Sequence, residues 1–325
     1  MKSGPVLRHL PVVCMIVLVA ATSPRADGQI EIEQPAKQSL ITTSTIFVGG
    51  KLVGKSRDIG VTVNGVRGDI DLEHAGSKQD PFRWFAEIGA IPGTVRIKAR
   101  LVRSGDAIDN ADHGNDDDEG PASVVHVVCA PPEAPTILRA LPANGIVPLS
   151  VSFSIQTDLD LSGVTRFEID YQGDGTYDYV STTIPETSSF TYTSTGVHRP
   201  VARITSSDGS TVTAQTGVVG QTFRTLDTLL RRTWTTLVDA MARGDVAGAL
   251  SSFAAGTTRD KYEPVLQLIR PSLREFATGV RDLRPLWIGG DTAHYLLVRV
   301  ENGRDVGYHV YFARDASGLW KIVQM

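Results

Sequence analysis

The chain has 325 residues, of which 41% are hydrophobic, 7% aromatic and 21% charged. That composition supports two or three packed cores of about 100 residues each and excludes wholesale disorder. A formal net charge of −4 argues against nucleic acid as a partner, because neutralising phosphates takes a surplus of Lys and Arg, and no apolar run reaches the roughly 18 residues that cross a bilayer as a helix.

At the N-terminus Lys2, Arg8 and His9 precede the apolar run Val12 to Ala21, and Ser23 and Pro24 follow it. This is the arrangement of a secretory signal peptide. Residues 1–26 are therefore expected to be removed on export, leaving a periplasmic, cell-surface or secreted protein. Their loss takes three basic residues, Lys2, Arg8 and Arg25, and no acid, so the net charge deepens from −4 to −7. Cys14 goes with the signal; Val12 and Val13 stand where a lipoprotein signal has small residues. Cys129 is left with no partner for an intramolecular disulfide and reads as a small buried hydrophobe.

Asp27 to Gln38, Ala130 to Pro135 and Gly217 to Thr222 are polar or proline-rich seams. They divide the mature chain into segments at 29–130, 135–220 and 222–325. In the first, Val95, Ile97, Ala99 and Leu101 alternate with Thr94, Arg96, Lys98 and Arg100, the period of a strand with one wet face. Val61 to Val66 is a second such signal, with Asn64-Gly65 able to reverse the chain tightly. Ile46 to Val48, Phe82 to Ile88 and Val124 to Val128 add strands, and five or more strands in this length predict a β-sandwich. Ile32-Glu-Gln-Pro35, Ser44-Thr-Ile-Phe-Val-Gly49, Val61-Thr-Val-Asn-Gly-Val66 and Gly93-Thr-Val-Arg-Ile-Lys-Ala99 resemble bacterial immunoglobulin-like modules of the glucodextranase domain B type. The resemblance implies an accessory domain of a secreted enzyme or surface protein.

Residues 106–119 depart from that pattern. Asp106, Asp109, Asp112, Asp116, Asp117, Asp118 and Glu119 form an acidic insertion. Calcium takes six to eight oxygen ligands, so Asp112, Asp116 and Asp118 are candidate calcium ligands. The spacing matches no EF-hand, and mutual repulsion favours a solvated loop.

The second segment carries strand signals at Leu149 to Ile155, Thr165 to Tyr171, Tyr177 to Thr183, Ser189 to Thr193 and Val201 to Ser206. Gly145-Ile-Val-Pro-Leu-Ser-Val-Ser-Phe153, Phe167-Glu-Ile-Asp-Tyr-Gln-Gly-Asp-Gly-Thr-Tyr-Asp178 and Val201-Ala-Arg-Ile-Thr-Ser-Ser-Asp-Gly209 resemble the successive blocks of a PKD domain, an extracellular β-sandwich. Phe167 replaces that family's usual tryptophan, and Pro200 would cost a ladder bond inside a central strand. Asp170, Asp174 and Asp178 have calcium-loop spacing, but Gln172 and Ser181 occupy ligand positions. A hairpin with Asp174 bonded to nearby amides is the simpler reading.

In the third segment Leu226, Leu229, Leu230, Trp234, Leu237 and Met241 recur at three and four residues, predicting an amphipathic helix that ends near Gly244. Asp245 caps a short helix through Phe253, Arg259 to Ile269 is a further helix, and Pro271-Ser272 starts another turn. Strands follow at Leu286 to Ile288, Thr292 to Val300, Gly307 to Ala313 and Trp320 to Val323, with Asn302-Gly303 and Ser317-Gly318 at reversals. Helices before an antiparallel meander predict an α+β domain. Ala240-Met-Ala-Arg-Gly-Asp-Val-Ala-Gly-Ala-Leu-Ser-Ser-Phe253 and Tyr311-Phe-Ala-Arg-Asp-Ala-Ser-Gly-Leu-Trp-Lys-Ile322 are similar to the nuclear transport factor and SnoaL-like superfamily, which implies a cone with helices on a curved antiparallel sheet. The expected fold is thus two all-β immunoglobulin-like sandwiches followed by that α+β cone.

His294, Tyr295, Tyr308, His309 and Tyr311 are the residues there that could do acid or base chemistry. His294 shares a face with Leu296 and Val298, and His309 with Tyr311 and Ala313, which predicts one imidazole in the core and one at the surface. Trp234, Leu237, Phe253, Leu286, Trp287 and Phe312 are expected to line a pocket with Tyr295 and His309 as polar contacts. The carboxylates Asp291, Glu301, Asp305 and Asp315 fall at exposed turns. No nucleophile elbow, zinc-protease helix, Walker loop or dinucleotide fingerprint is present. The expected function is an exported, non-catalytic binding or scaffold protein, without a cofactor unless calcium binds, that contacts an envelope or extracellular protein or glycan. The alternative is a small lyase or isomerase using a pocket in the third segment; a deep polar cavity there, as opposed to one filled by Trp234, Phe253 and Trp320, distinguishes the two.

Overall fold

A computed structural model of the chain describes residues 28–54, 58–103 and 121–325. The signal segment and the acidic insertion with Asp112, Asp116 and Asp118 lie outside the described residues. What is described is mostly β, with several sheets and a C-terminal helical region.

Eight strands come from the first segment: β1 (Gln29–Gln34), β2 (Leu40–Ile41), β3 (Thr45–Val53), β4 (Ile59–Val63), β5 (Val66–Asp71), β6 (Phe82–Gly89), β7 (Gly93–Arg103) and β8 (Ala122–Cys129). They pair in the order β1-β3-β6-β5-β4-β7-β8-β2. The alternation holds in β7, where Ile97, Ala99 and Leu101 are buried and the intervening basic residues are not. Asn64 and Gly65 make the β4–β5 reversal with φ of 48° and 82°, values glycine and asparagine tolerate best. Asn64 is also tied to β7: its Nδ2 donates to Arg96 O at 3.0 Å and its Oδ1 accepts from Lys98 N at 2.9 Å.

The second segment holds β9 (Thr136–Leu141), β10 (Asn144–Ile146), β11 (Leu149–Thr157), β12 (Val164–Asp170), β13 (Tyr179–Ser181), β14 (Ser188–Tyr192), β15 (Gly196–His198), β16 (Val201–Ser206), β17 (Thr211–Gln215) and β18 (Val218–Gln221). The sheets β14-β11-β9 and β13-β12-β16-β17 enclose Leu138, Val151, Phe153, Phe167, Ile169, Tyr192 and Ile204. Two sheets over one apolar core are a β-sandwich. Phe167 fills the core position, and Pro200 lies between β15 and β16, so it removes no ladder bond. A small sheet, β10-β18-β15, has no counterpart in the sequence expectations; β10 runs parallel to β18, the strand that leads into the third segment.

There α1 (Phe223–Arg243) starts at Thr222, whose side chain accepts from Thr225 N, and ends at Gly244 with φ of 71°. Then come α2 (Val246–Leu250), capped by Asp245, α3 (Thr257–Leu268) and α4 (Leu273–Thr278). The strands β19 (Val280–Ile288), β20 (Thr292–Glu301), β21 (Arg304–Arg314) and β22 (Trp320–Gln324) form an antiparallel sheet in chain order. The six stripe residues of α1 are all buried, each worth about 1.5–3 kcal/mol relative to exposure. Two boundaries differ from expectation: α2 stops at Leu250, so that Phe253 bridges to Ile322, and β19 starts at Val280.

The seams do not separate the cores. One apolar cluster contains Ile59, Ile70 and Leu72 of the first segment together with Leu229, Trp234 and Trp320 of the third. Phe47 and Phe85 of the first stack with centroids 5.5 Å apart and cluster with Val219 of the second.

Candidate functional site

The inner face of the β19–β22 sheet presents Tyr295, Leu297, Val310, Phe312 and Ile322 to the helices, and these meet Trp234, Leu237 and Phe253 with every side chain at most 4% exposed. Trp234, Phe253 and Trp320 thus fill the space between helices and sheet. One polar pair lies among them. The Tyr295 hydroxyl donates to Asp227 Oδ1 at 2.8 Å, and Arg231 Nε donates to both Asp227 oxygens at 3.1 and 2.9 Å. Burial, reinforced by the Asp227 carboxylate, pushes the Tyr295 phenol far above its ordinary range. It therefore keeps its proton and serves as a hydrogen-bond donor between sheet and helix.

The expected pocket lining is only partly on this side. Leu286 is 52% and Trp287 56% exposed, because a register shift between Pro285 and Trp287 turns them out of the helix-facing surface. His309 also lies outside, and so does His294. Antiparallel pairing sets Leu296 opposite His309 and His294 opposite Tyr311, which puts both histidines on the outer face and corrects the expectation of one core imidazole. The signal was available: a two-residue Asn302-Gly303 turn pairs Glu301 with Arg304 and fixes every pair above it.

On that outer face His294 Nε2 and His309 Nδ1 are 2.7 Å apart. The Tyr311 ring stacks on His294 with centroids 4.3 Å apart and planes 10° apart. Trp287 is the cross-strand neighbour of His294 on β19. Tyr308 stands apart from the group, donating to Glu301 at 2.8 Å.

The structure brings Asp170, Asp174 and Asp178 into one hairpin. Asp170 is buried and accepts from the amides of Gln172, Gly173, Asp174 and Gly175 at 3.1, 2.6, 3.3 and 2.7 Å. Asp178 accepts from Tyr171 N at 2.9 Å and Asp174 from Thr176 N at 2.8 Å. Their lone pairs are engaged by backbone N–H groups that need an acceptor. Among the described residues no group of three or more His, Cys, Asp or Glu side chains is placed to hold a metal ion.

A polar junction where the three segments meet was not visible in the sequence. Arg314 of β21, with its side chain 4% exposed, donates from Nη1 to Asp69 Oδ1 of β5 at 2.9 Å. Asn144 of β10 donates to Asp69 and to Asp291, both at 3.2 Å, and Arg67 donates to the Asp291 carboxylate at 3.0 and 3.1 Å. Burial pushes the Asp69 carboxyl up, against the pull of Arg314 and Arg67. Next to it Gln221 donates to Ile70 O at 3.0 Å, and Glu73 accepts from Thr222 N at 2.6 Å and from Thr225 Oγ1 at 3.0 Å. A carboxylate from the first segment thereby satisfies the N-terminus of α1, where negative charge is favoured.

No protein-family model matches the chain, and no curated protein matches it. Among solved structures, the fibronectin(III)-like modules of Clostridium thermocellum CbhA are 20% identical at TM-score 0.23, over 26% of this chain and 96% of that one. The PKD1 domain of Vibrio anguillarum Epp is 18% identical at 0.21, over 27% and 94%. The Yersinia pseudotuberculosis adhesin InvE is 12% identical at 0.22, over 60% of this chain and 58% of InvE. At such scores the sandwich assignment rests on the sheets described above.

Proposed function

We propose that the chain is an exported, non-catalytic binding or scaffold protein that contacts an envelope or extracellular protein or glycan. Residues 1–26 are its signal peptide, 29–130 and 135–220 its immunoglobulin-like and PKD-like sandwiches, and 222–325 a SnoaL-like domain. The observation that carries this reading is the packing of Trp234, Phe253 and Trp320 into the space between helices and sheet. A lyase or isomerase of this architecture needs that space for its substrate. The polar junction adds support, since it holds three segments together as a spacer or display platform requires.

The test is capture of partners from an envelope fraction by the immobilised mature chain, run beside a glycan array and N-terminal sequencing of the exported product. A saturable protein or glycan partner is expected, with residues 1–26 missing. Turnover of a hydratase or isomerase substrate that disappears in Tyr295→Phe, or a product retained in the cytoplasm with its N-terminus intact, would overturn it.

A further inference from the structure

We propose that His294 and His309 form a two-imidazole site for a divalent transition-metal ion such as Zn2+, Cu2+ or Ni2+ on the outer face of the C-terminal sheet. Their nitrogens, 2.7 Å apart, share one hydrogen bond, so one lone pair and one N–H converge on the same point. A metal ion takes that place once the donor ring carries its proton on its other nitrogen, so that both facing nitrogens present lone pairs and both imidazoles stay neutral. Zinc–imidazole bonds are about 2.0–2.1 Å, so two such nitrogens at a tetrahedral metal lie about 3.3 Å apart. The nitrogens need to part by about 0.6 Å and the rings to turn their lone pairs toward an ion lying off the line between them, a movement open to the exposed His309.

Three further features suit such a site. Neighbouring strands hold the two rings in a fixed register, and Tyr311 stacked on His294 fixes the orientation of that imidazole. The face is open to solvent, so the remaining coordination positions go to water or to a donor from a partner. Imidazole selects zinc, copper and nickel over calcium and magnesium, which take oxygen ligands.

The experiment is calorimetric titration of the chelator-stripped, tag-free chain with ZnCl2, CuCl2 and CaCl2, with EPR of the copper form. One equivalent of Zn2+ or Cu2+ is expected to require the pair, with copper the tighter and the copper spectrum showing nitrogen coupling. His294→Ala and His309→Ala should each weaken binding about tenfold or more, with circular dichroism and apo melting unchanged. Any site elsewhere survives in the double variant. Equal stoichiometry and affinity in the double variant, or no binding by the unmodified chain up to about millimolar metal, would overturn the proposal.

Discussion

Arg314 Nη1 and Asp69 Oδ1 are 2.9 Å apart although the residues are 245 positions apart in sequence. The pair joins the sheet of the first segment to the sheet of the third. Removing one member of a buried ion pair costs up to about 3–5 kcal/mol, and here Asn144 and the more distant Arg67 stay on Asp69 and place the loss toward the lower end. Arg314→Met is therefore expected to lower stability in urea unfolding by about 3 kcal/mol, and Asp69→Asn added to it to recover part of the loss. A single-variant loss below about 1 kcal/mol, as at a surface pair, would show that the junction contributes little.

Close approach sets the same junction. A Cβ on Gly290 would stand 2.1 Å from Asn144 Oδ1 and 2.3 Å from Asn144 O, and one on Gly60 would stand 2.0 Å from Ser317 O. Gly290→Ala and Gly60→Ala should each cost about 1–3 kcal/mol through overpacking. Gly89→Ala is the control, since nothing lies within 4 Å of its added carbon. Thermal melts of the three variants check this, and equal midpoints for all would refute it.

Acid should favour the assembled unit over a defined window. Burial pushes up the carboxyls of Asp69, Asp71 and Glu87, and for Glu87 the Thr216 and Thr45 hydroxyls pull the other way without offsetting it. A carboxyl whose folded pKa lies above its unfolded value contributes stability that is fully present below about pH 4 and lost as pH rises through the folded value. Asp80, Asp160, Asp208 and Asp282 are held low by hydrogen bonds. Their contributions are lost only as pH falls through those lowered values, so they leave this window untouched. Melting temperature should rise from pH 7.5 to 5, with a shallower rise in Glu87→Gln. A steady fall across that range would count against the assignment.

Tyr295→Phe removes the donor to Asp227 but leaves Arg231 on that carboxylate. The expected cost is about 1 kcal/mol, with partner retention on an affinity column unchanged. Loss of binding with stability intact would instead place Tyr295 in a recognition role.

Locally encoded features were legible in the sequence. The α1 stripe from Leu226 to Met241, the Gly244 stop and the Asn64-Gly65 reversal each depend on residues a few positions apart, and each appears at the expected place. The strands β10, β15 and β18 did not show, because three or four residues carry no alternation and their pairing joins Asn144 to Val219 and Val197 to Val219. The outer site was half legible. Its histidines stood out as residue types, but their common face depends on strand pairing and not on either strand alone. Asp291 looked like an ordinary turn acid, since its partner Arg67 lies 224 positions earlier.

A chain is synthesised from its N-terminus, and here the groups that cover the first sheet emerge long after it, Arg314 245 residues behind Asp69. Trp320 sits with Ile70 and Leu72 around one small cavity, Arg314 meets Asp69, and the Ser317 carbonyl abuts Gly60. Until those residues emerge, the first sheet has Ile70 and Leu72 uncovered on that side, and Asp69 has only Asn144 and the more distant Arg67. A product that stops short of Arg314 keeps that apolar surface uncovered, which favours its capture by holding factors and proteases. The strands β21 and β22 thus tie the folding of the first sheet to that of the third segment.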